Sequence, residues 1–518
     1  MRESRERHLL YLGLCAALIP VLLLRDFTPS NELRYLSIAD EALRNGTFFA
    51  FTNHGVPYTD KPPLYLWIVM LCRWLTGAHR MWLLGLFSLI PAILIARVID
   101  KWTVHDLDSE GRSIARLMLI TSGIFFVTAV TIRMDMLMTL FIVLALREFW
   151  MMQSGEPGVK HCRLTFPIFV FLAMFTKGPL GFILPLAVTT VYLIVSGKGR
   201  QFFRYWGWCT WGVLIMLTAL WFGAVYCEGG AAYLRDMIYN QTVNRTFNSL
   251  WHGQPFYYYI LTIWYILAPW SLLIVGIIIT ALRPKFVRSG IQTFFLTAGI
   301  TIFVVLSCVD QKMQIYMLPA VPFLVYGAAM FLTRFRDNQL IRLSLAVPSA
   351  MIMLSLPTLV WAAATFPKVE YLNNGLIYAA ATVLTLAGGN ALYHLYGKGK
   401  EHIIVIVRRI AGGIGLAVFI AAWSLPKVGS DIGYGKLCRK TNDIMQTTGI
   451  TDVYAQDIDH AENMDALMKR PVKVINGKAG DNTNGGRPYL LLVPQKDIKG
   501  LPGKDVKNVG PYAIVVCK

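Results

Sequence analysis

The sequence predicts an all-α, polytopic membrane protein that ends in a small α/β domain. Three observations carry this reading. Of its 518 residues 55% are hydrophobic and only 15% charged, with a mean hydropathy of +0.50; a soluble chain of this length needs more polar surface. Apolar runs long enough to cross a bilayer recur along most of the first 425 residues. From about Pro426 the chain turns charged and rich in Gly, Asn and Lys, with short β-type runs. The net charge of +19 would by itself suit a nucleic-acid binder. The basic residues, however, fall in short clusters between apolar runs, as the positive-inside rule leads one to expect. No basic stripe with interleaved aromatics stands outside the membrane part, so nucleic acid is not expected as a partner.

Leu9–Leu24 reads as the first span. Arg2, Arg5 and Arg7 precede it and no small-residue cleavage site follows, which predicts an uncleaved helix with a cytoplasmic N-terminus. A long polar loop, 25–61, comes next, then an apolar piece at 64–75 that is too short to span and is expected in or re-entering the interface. Further spans are expected near 81–99, 113–131, 134–148, 164–177, 179–196, 206–226, 257–282, 290–308, 315–333, 341–365, 374–395 and 402–424. With the first, that makes about thirteen transmembrane helices. An odd count places the termini on opposite sides. Lys101, Arg112, Arg147, Lys198, Arg283, Arg334 and Arg408 fall on the N-terminal side, and the opposite loops carry roughly half as many basic residues. The tail is therefore expected outside.

Within the tail, strands are expected at 452–455, 472–475, 489–493 and 512–516, with a helix at 459–468 between the first two. No catalytic constellation stands out there, so a lid, docking or stabilising role is the default. The implied division is a membrane domain over 1–425, whose first outer loop is 25–80, and a soluble domain over 426–518. The eight cysteines lack metal-ligand spacing. Cys438 and Cys517, the two in the tail, read either as one disulfide in an oxidising compartment or as separate core thiols.

The chemistry centres on Tyr58-Thr59-Asp60-Lys61-Pro62-Pro63. An acid and a base side by side, next to a membrane segment, are costly at the hydrocarbon boundary and call for a function. The diproline fixes their direction, because each ring locks its own φ and restrains the residue before it. Sorted by the expected topology, five segments bring ionisable groups to one face at one depth. Glu32, Arg34, Asp60 and Lys61 lie in the first outer loop, and Arg133 and Asp135 at the turn before the fourth span. Lys177 marks the turn after the fifth. Arg245 and His252 precede the eighth, and Asp310 and Lys312 the tenth, close to Tyr316. Singly, each has an ordinary reading: a Lys or Arg at a helix end snorkels, Asp135 caps its helix, and His252 is a loop histidine. Together, the cations suit a lipid-borne phosphate. The carboxylates suit activation of an acceptor hydroxyl, or a divalent cation held against the phosphate.

Asn31-Glu32-Leu33-Arg34-Tyr35 followed by Asp60-Lys61-Pro62-Pro63 resembles the first outer loop of polyprenyl-phosphate-dependent GT-C glycosyltransferases. The nearest branch is the bacterial lipid A aminoarabinose transferases, within the wider protein O-mannosyltransferase superfamily. The resemblance continues in order through Arg133-Met134-Asp135, Thr176-Lys177-Gly178-Pro179, Gln254-Pro255-Phe256-Tyr257, Pro269-Trp270-Ser271 and Lys312 with Tyr316-Met317-Leu318-Pro319. It thus covers most of the first 335 residues. One departure matters: Asn31 stands where that branch commonly has an Asp, and an amide cannot act as a base.

The resemblance implies an inner-membrane glycosyltransferase acting on the periplasmic face of a Gram-negative-type envelope. It would move a sugar from an undecaprenyl-phosphate-linked donor to lipid A or another envelope glycolipid or glycan. Asp60 is expected as the key acid, with Glu32 and Asp135 as secondary carboxylates. Lys61, Arg245 and Lys312 would clamp the donor phosphate, supported by Arg34 and Lys177, while Tyr58, Tyr316 and His252 line the site. A divalent metal ion, if one is used, would be held by Asp60 and Glu32. A protein O-glycosyltransferase differs only in its acceptor. A lipid-linked-sugar flippase would want ionisable groups on both faces and inverted repeats, and the cluster here is one-sided.

Overall fold

A computed structural model describes residues 2–155, 159–239, 253–283, 288–332, 334, 339–366, 372–397, 402–475, 487–498 and 505–517. The chain divides into two compact units: Met1–Ile19, Tyr58–Tyr65 and Gly85–Ala421 form the first, and Pro20–Pro57, Leu66–Leu84 and Ala422–Lys518 the second.

The first unit is helical. Its centre is the helix Val321–Leu332, every residue of which is buried, as expected of a helix apolar on all sides. Around it an aromatic cluster fills the core. Phe149 lies 4.9 Å from Tyr205, Tyr192 lies 4.9 Å from Phe294, and Trp150 lies 5.2 Å from Phe294, between ring centroids. Peripheral helices instead present apolar side chains outward. Ile215 and Leu220 in the helix Trp208–Tyr239 are both 64% exposed, and Ser355–Thr365 buries none of its residues. Exposed apolar surface on this scale is what lipid would cover.

Among the described residues, six helices are long and apolar enough to cross a bilayer, or up to eight if each bent pair counts as one span. Several of the thirteen expected spans are broken instead. Residues 113–131 contain Ser109–Thr121 and Gly123–Thr128, parted at Ser122, whose backbone is extended. Residues 257–282 contain Tyr258–Ile266 and Ser271–Ala281, parted around Pro269, which has no N–H for the helical ladder. The pair Gln339–Met353 and Ser355–Thr365 bends by 42°. Hydropathy averages over such breaks and does not register them.

Two of the breaks meet. Gly123 N donates to Ala268 O at 2.8 Å and Trp270 Nε1 donates to Thr121 Oγ1 at 2.9 Å. A side chain at Gly123 would come within 2.8 Å of Tyr265 O. Irregular backbone is tolerated at membrane depth when it is buried in protein and satisfied in this way. Buried charge is handled similarly: Arg116 Nε lies 3.5 Å from Asp100 Oδ1, and both residues are 1% exposed.

The second unit gathers the first loop and the tail. The amphipathic helix Arg34–Asn45 leads into a hairpin of β1 (Thr52–Asn53) and β2 (Val56–Pro57). The connecting His54 and Gly55 have φ of 54° and 78°, the positive values that a two-residue hairpin turn with the proper twist requires. Glu41 holds the turn, accepting from His54 N at 2.6 Å, from Gly55 N at 2.9 Å and from Thr52 Oγ1.

The tail forms a five-stranded mixed sheet in the order β4-β3-β5-β7-β6. Its strands are β3 (Val453–Gln456), β4 (Lys473–Ile475), β5 (Tyr489–Pro494), β6 (Asp505–Val509) and β7 (Tyr512–Cys517). β3 pairs in parallel with β4 and β5, and β7 runs antiparallel to β5 and β6. Four of these match the expected strands. β6 is polar and mostly exposed, so its period gave no signal, and the helix Gly435–Thr448 was not expected either. The expected helix at 459–468 is two short turns, Ala461–Met464 and Asp465–Met468. Cys438 and Cys517 are separate buried thiols.

The first loop is bonded to the tail inside this unit. Asp26 accepts from Gly435 N at 2.7 Å, Ser37 Oγ donates to Asp465 Oδ2 at 3.1 Å, and His54 Nδ1 lies 3.8 Å from the same oxygen. Asp40 anchors the apolar piece that follows, facing Arg73 Nε at 2.9 Å and His79 Nε2 at 3.0 Å.

Two predictions follow from packing and charge. A side chain at Gly388 would sit 2.4 Å from Met353 N and Ser349 O, so Gly388→Ala is expected to cost about 1–3 kcal/mol, read as a lower thermal-unfolding midpoint in detergent. Burial alone would raise the Asp40 carboxyl, but His79 and Arg73 more than offset it and hold it below the ordinary value. A lowered acid stabilises the fold above its unfolded pKa, and that contribution is lost as pH falls through the folded one. Stability should therefore fall less steeply in Asp40→Asn than in the wild type between about pH 5 and 3, measured by denaturation at fixed pH values.

Candidate active site

In the first unit, Tyr58, Thr59, Pro62 and Pro63 are buried, while Asp60 and Lys61 between them are half-buried. Pro63 opens the helix Pro63–Thr76, a position where its missing N–H costs nothing. Asp60 and Lys61 form a bend just before the two prolines, and the fixed φ of each ring restrains the backbone from which the acid and base project. A second restraint comes from far along the chain: Tyr233 Oη donates to Tyr58 O at 2.7 Å. Tyr233 reaches this point because its helix is broken at Gly230, whose φ of 75° with ψ of −179° suits only glycine. No sequence pattern marked Tyr233, since its role depends on that break. Lys61 Nζ turns back to within 3.3 Å of Asp60 O.

Three of the five expected segments meet in a buried ion cluster. Asp135 is 1% exposed, and its two oxygens face Lys177 Nζ and Arg133 Nε, the latter at 3.1 Å. Lys177 is itself 6% exposed and lies over the Tyr316 ring, 4.0 Å from its centroid. Asp135 does not cap its helix, whose N-cap is Met134.

Lys312 sits one element away. It is 3% exposed and donates to Gln254 O at 2.8 Å. Gly253 bridges to Gln311, Gln254 N donates to Asp310 O at 3.2 Å, and Tyr259 Oη donates to Met313 O at 3.0 Å. The Gln254-Pro255 and Lys312–Tyr316 motifs are thus stitched together by hydrogen bonds to backbone carbonyls. Arg245 and His252 lie outside the described residues.

The remaining candidates belong to the second unit. Glu32 is fully buried and accepts from both Arg25 Nη1 and Nη2, at 2.8 and 2.7 Å, and from Thr28 N at 2.8 Å. This bidentate clamp occupies the carboxylate, and Arg25 had no motif to reveal it. Arg34 Nη2 donates to Asn31 Oδ1 at 3.2 Å, so the amide supplies the acceptor but not the charge that an Asp would bring. With Glu32 taken up by Arg25, and no three His, Cys, Asp or Glu side chains converging among the described residues, the site does not fit a metal centre built on Asp60 and Glu32.

No family model matches the chain. It is 28% identical over 331 residues to an uncharacterised protein of Aquifex aeolicus, covering 61% of this chain and 63% of that one. It is 24% identical over 299 residues to the undecaprenyl phosphate-alpha-4-amino-4-deoxy-L-arabinose arabinosyl transferase of Edwardsiella ictaluri, covering 56% and 52%. The chain thus spans less than two thirds of the length of these curated relatives. In three dimensions it is similar to ArnT from Cupriavidus metallidurans bound to undecaprenyl phosphate, with a TM-score of 0.78, 18% identity, and coverage of 99% of this chain and 98% of that one. The fold is the same: a polytopic helical membrane protein with a small sheet-containing C-terminal region.

Lys177→Met would leave Asp135 buried with one cation fewer and should destabilise the protein by about 3–5 kcal/mol. The double variant Asp135→Asn/Lys177→Met should recover most of that loss, as read by thermal unfolding of the purified protein in detergent.

Proposed function

We propose that the chain is an inner-membrane glycosyltransferase that takes a sugar from an undecaprenyl-phosphate-linked donor and passes it to lipid A or another envelope glycolipid. The observation that carries this reading is the presentation of Asp60 and Lys61. Of the three acids weighed from the sequence, Glu32 and Asp135 are buried against cations, whereas Asp60 stands half-buried on the strip held by Pro62, Pro63 and Tyr233. The likeness to ArnT in fold and to arabinosyl transferases in sequence supports the same reaction class. In this reading the N-terminus is cytoplasmic, residues 1–425 form the catalytic membrane domain, and 426–518 lie in the periplasm.

The chemistry is a displacement at the sugar's anomeric carbon. The bond from that carbon to the donor phosphate breaks, its electron pair passes to the phosphate oxygen, and an acceptor oxygen forms the new bond. Lys61 neutralises the charge left on the polyprenyl phosphate, with Lys312 as a further cation of the site and Tyr58 and Tyr316 along its walls. Asp60 takes the proton when the acceptor is a hydroxyl, a step worth roughly 10²–10⁴ in rate. A phosphate acceptor is already a nucleophile and needs no base, which is consistent with Asn31 replacing an acid. Lys177 and Asp135 act by holding Tyr316 and its segment.

Mass spectrometry of lipid A and other envelope glycolipids, from cells with and without the gene, tests the proposal. The expected result is a lipid heavier by one sugar; where that sugar is joined to a hydroxyl, Asp60→Asn should lower the amount of modified lipid at least about hundredfold while leaving the membrane level of the protein unchanged. Unaltered lipids together with sugar-modified proteins would replace the reading by a protein O-glycosyltransferase. Wild-type turnover by Asp60→Asn would remove Asp60 from the mechanism.

A further inference from the structure

The second unit contains a cavity of about 380 Å³ that the residues discussed for transfer do not line. Its polar wall carries Arg25, Asp26, His79, Arg80, Arg439 and Asn442. Its apolar lining includes Leu22, Leu23 and Trp82, from the end of the first span and the start of Met81–Trp102.

The charges on the polar wall are not equivalent. Arg25 is committed to Glu32. Asp26 is tied down by the amides of Phe27, at 2.9 Å, and Gly435, at 2.7 Å. Burial nonetheless pushes its carboxyl above the ordinary range, with these amides, Arg439 and Arg25 opposing. Arg80 and Arg439 are exposed and form no hydrogen bond or close ion pair among the described residues. His79 is buried to 3% side-chain exposure with Nε2 turned to Asp40, and its Nδ1 has no hydrogen-bond partner among the described residues. Two exposed guanidinium groups and the Asn442 amide in one lining make a receptor for an anion with several acceptor oxygens, and guanidinium suits phosphate in particular.

The apolar wall says what carries the phosphate. Leu23 is 58% and Trp82 44% exposed, and both continue the surface of helices that run into the apolar part of the chain. A free ion would have no use for them, whereas the first carbons of an acyl chain would cover them. We propose that this cavity binds the phosphate headgroup of an anionic membrane lipid, with Arg80 and Arg439 on the phosphate and the lipid tail leaving over Leu23 and Trp82. The proposal does not rest on the glycosyltransferase reading, since binding is measured without turnover.

Native mass spectrometry of the full-length protein released from mixed vesicles of phosphatidylglycerol and phosphatidylcholine tests it. The expected result is preferential retention of phosphatidylglycerol. Arg80→Gln or Arg439→Gln alone should weaken it about tenfold, and the double variant should abolish the preference. Both side chains are exposed, so the variants should unfold at the wild-type temperature. Inorganic phosphate should not displace the lipid, and Trp82→Ser should weaken lipid retention with both arginines in place. Equal retention of the two lipids, or unchanged phosphatidylglycerol retention in the double variant, would overturn the proposal. Displacement by inorganic phosphate with no effect of Trp82→Ser would overturn the lipid assignment in favour of a free-anion site.

Discussion

A carboxylate stays ionised in the interior of a membrane protein only if cations face it, and Asp135 is the place where the first unit meets that constraint. Its partners, Arg133 and Lys177, come from just before its own helix and from the end of the helix that follows it. Lys177 in turn lies over Tyr316, so one desolvated charge joins three segments far apart in sequence. The cost of burying any one of these groups alone sets the geometry of the rest. Through Tyr316 the cluster leads on to Lys312, and from there to the Gln254 backbone.

The acids divide by what surrounds them. Glu32 and Asp135 are interior counter-ions, each saturated by an arginine or lysine. Asp60 is placed differently: two prolines and the Tyr233 hydroxyl, which donates to Tyr58 O, restrain the backbone, while the side chain itself remains only half-buried. Asn31 is partnered too, since its amide accepts from Arg34 without adding a charge.

The second unit shows how a loop and a tail 400 residues apart become one body. Asp26, Ser37 and His54 from the first loop meet Gly435 and Asp465 from the tail through short polar contacts. Each of these is an ordinary surface residue type, so none of them stands out in the sequence. The strands of the tail were legible where a buried apolar run filled them, as in β5 and β7. They were illegible where the strand is polar, as in β6, because an exposed edge has no hydrophobic period to display.

The sequence by itself determined the solvent in which this protein folds, its all-helical first part, its mixed C-terminal domain, and the stiff backbone of the strip from Tyr58 to Pro63. These are properties of composition and of local backbone chemistry, and they do not require knowing what a residue touches. The tertiary structure decided which of the charged residues are counter-ions, where three of the expected spans break, and that Tyr233 and Arg25 matter. Those outcomes depend on desolvation and on hydrogen bonds between distant segments. A residue's identity shows what it can donate or accept; only its burial and its neighbours show whether that capacity is already spent.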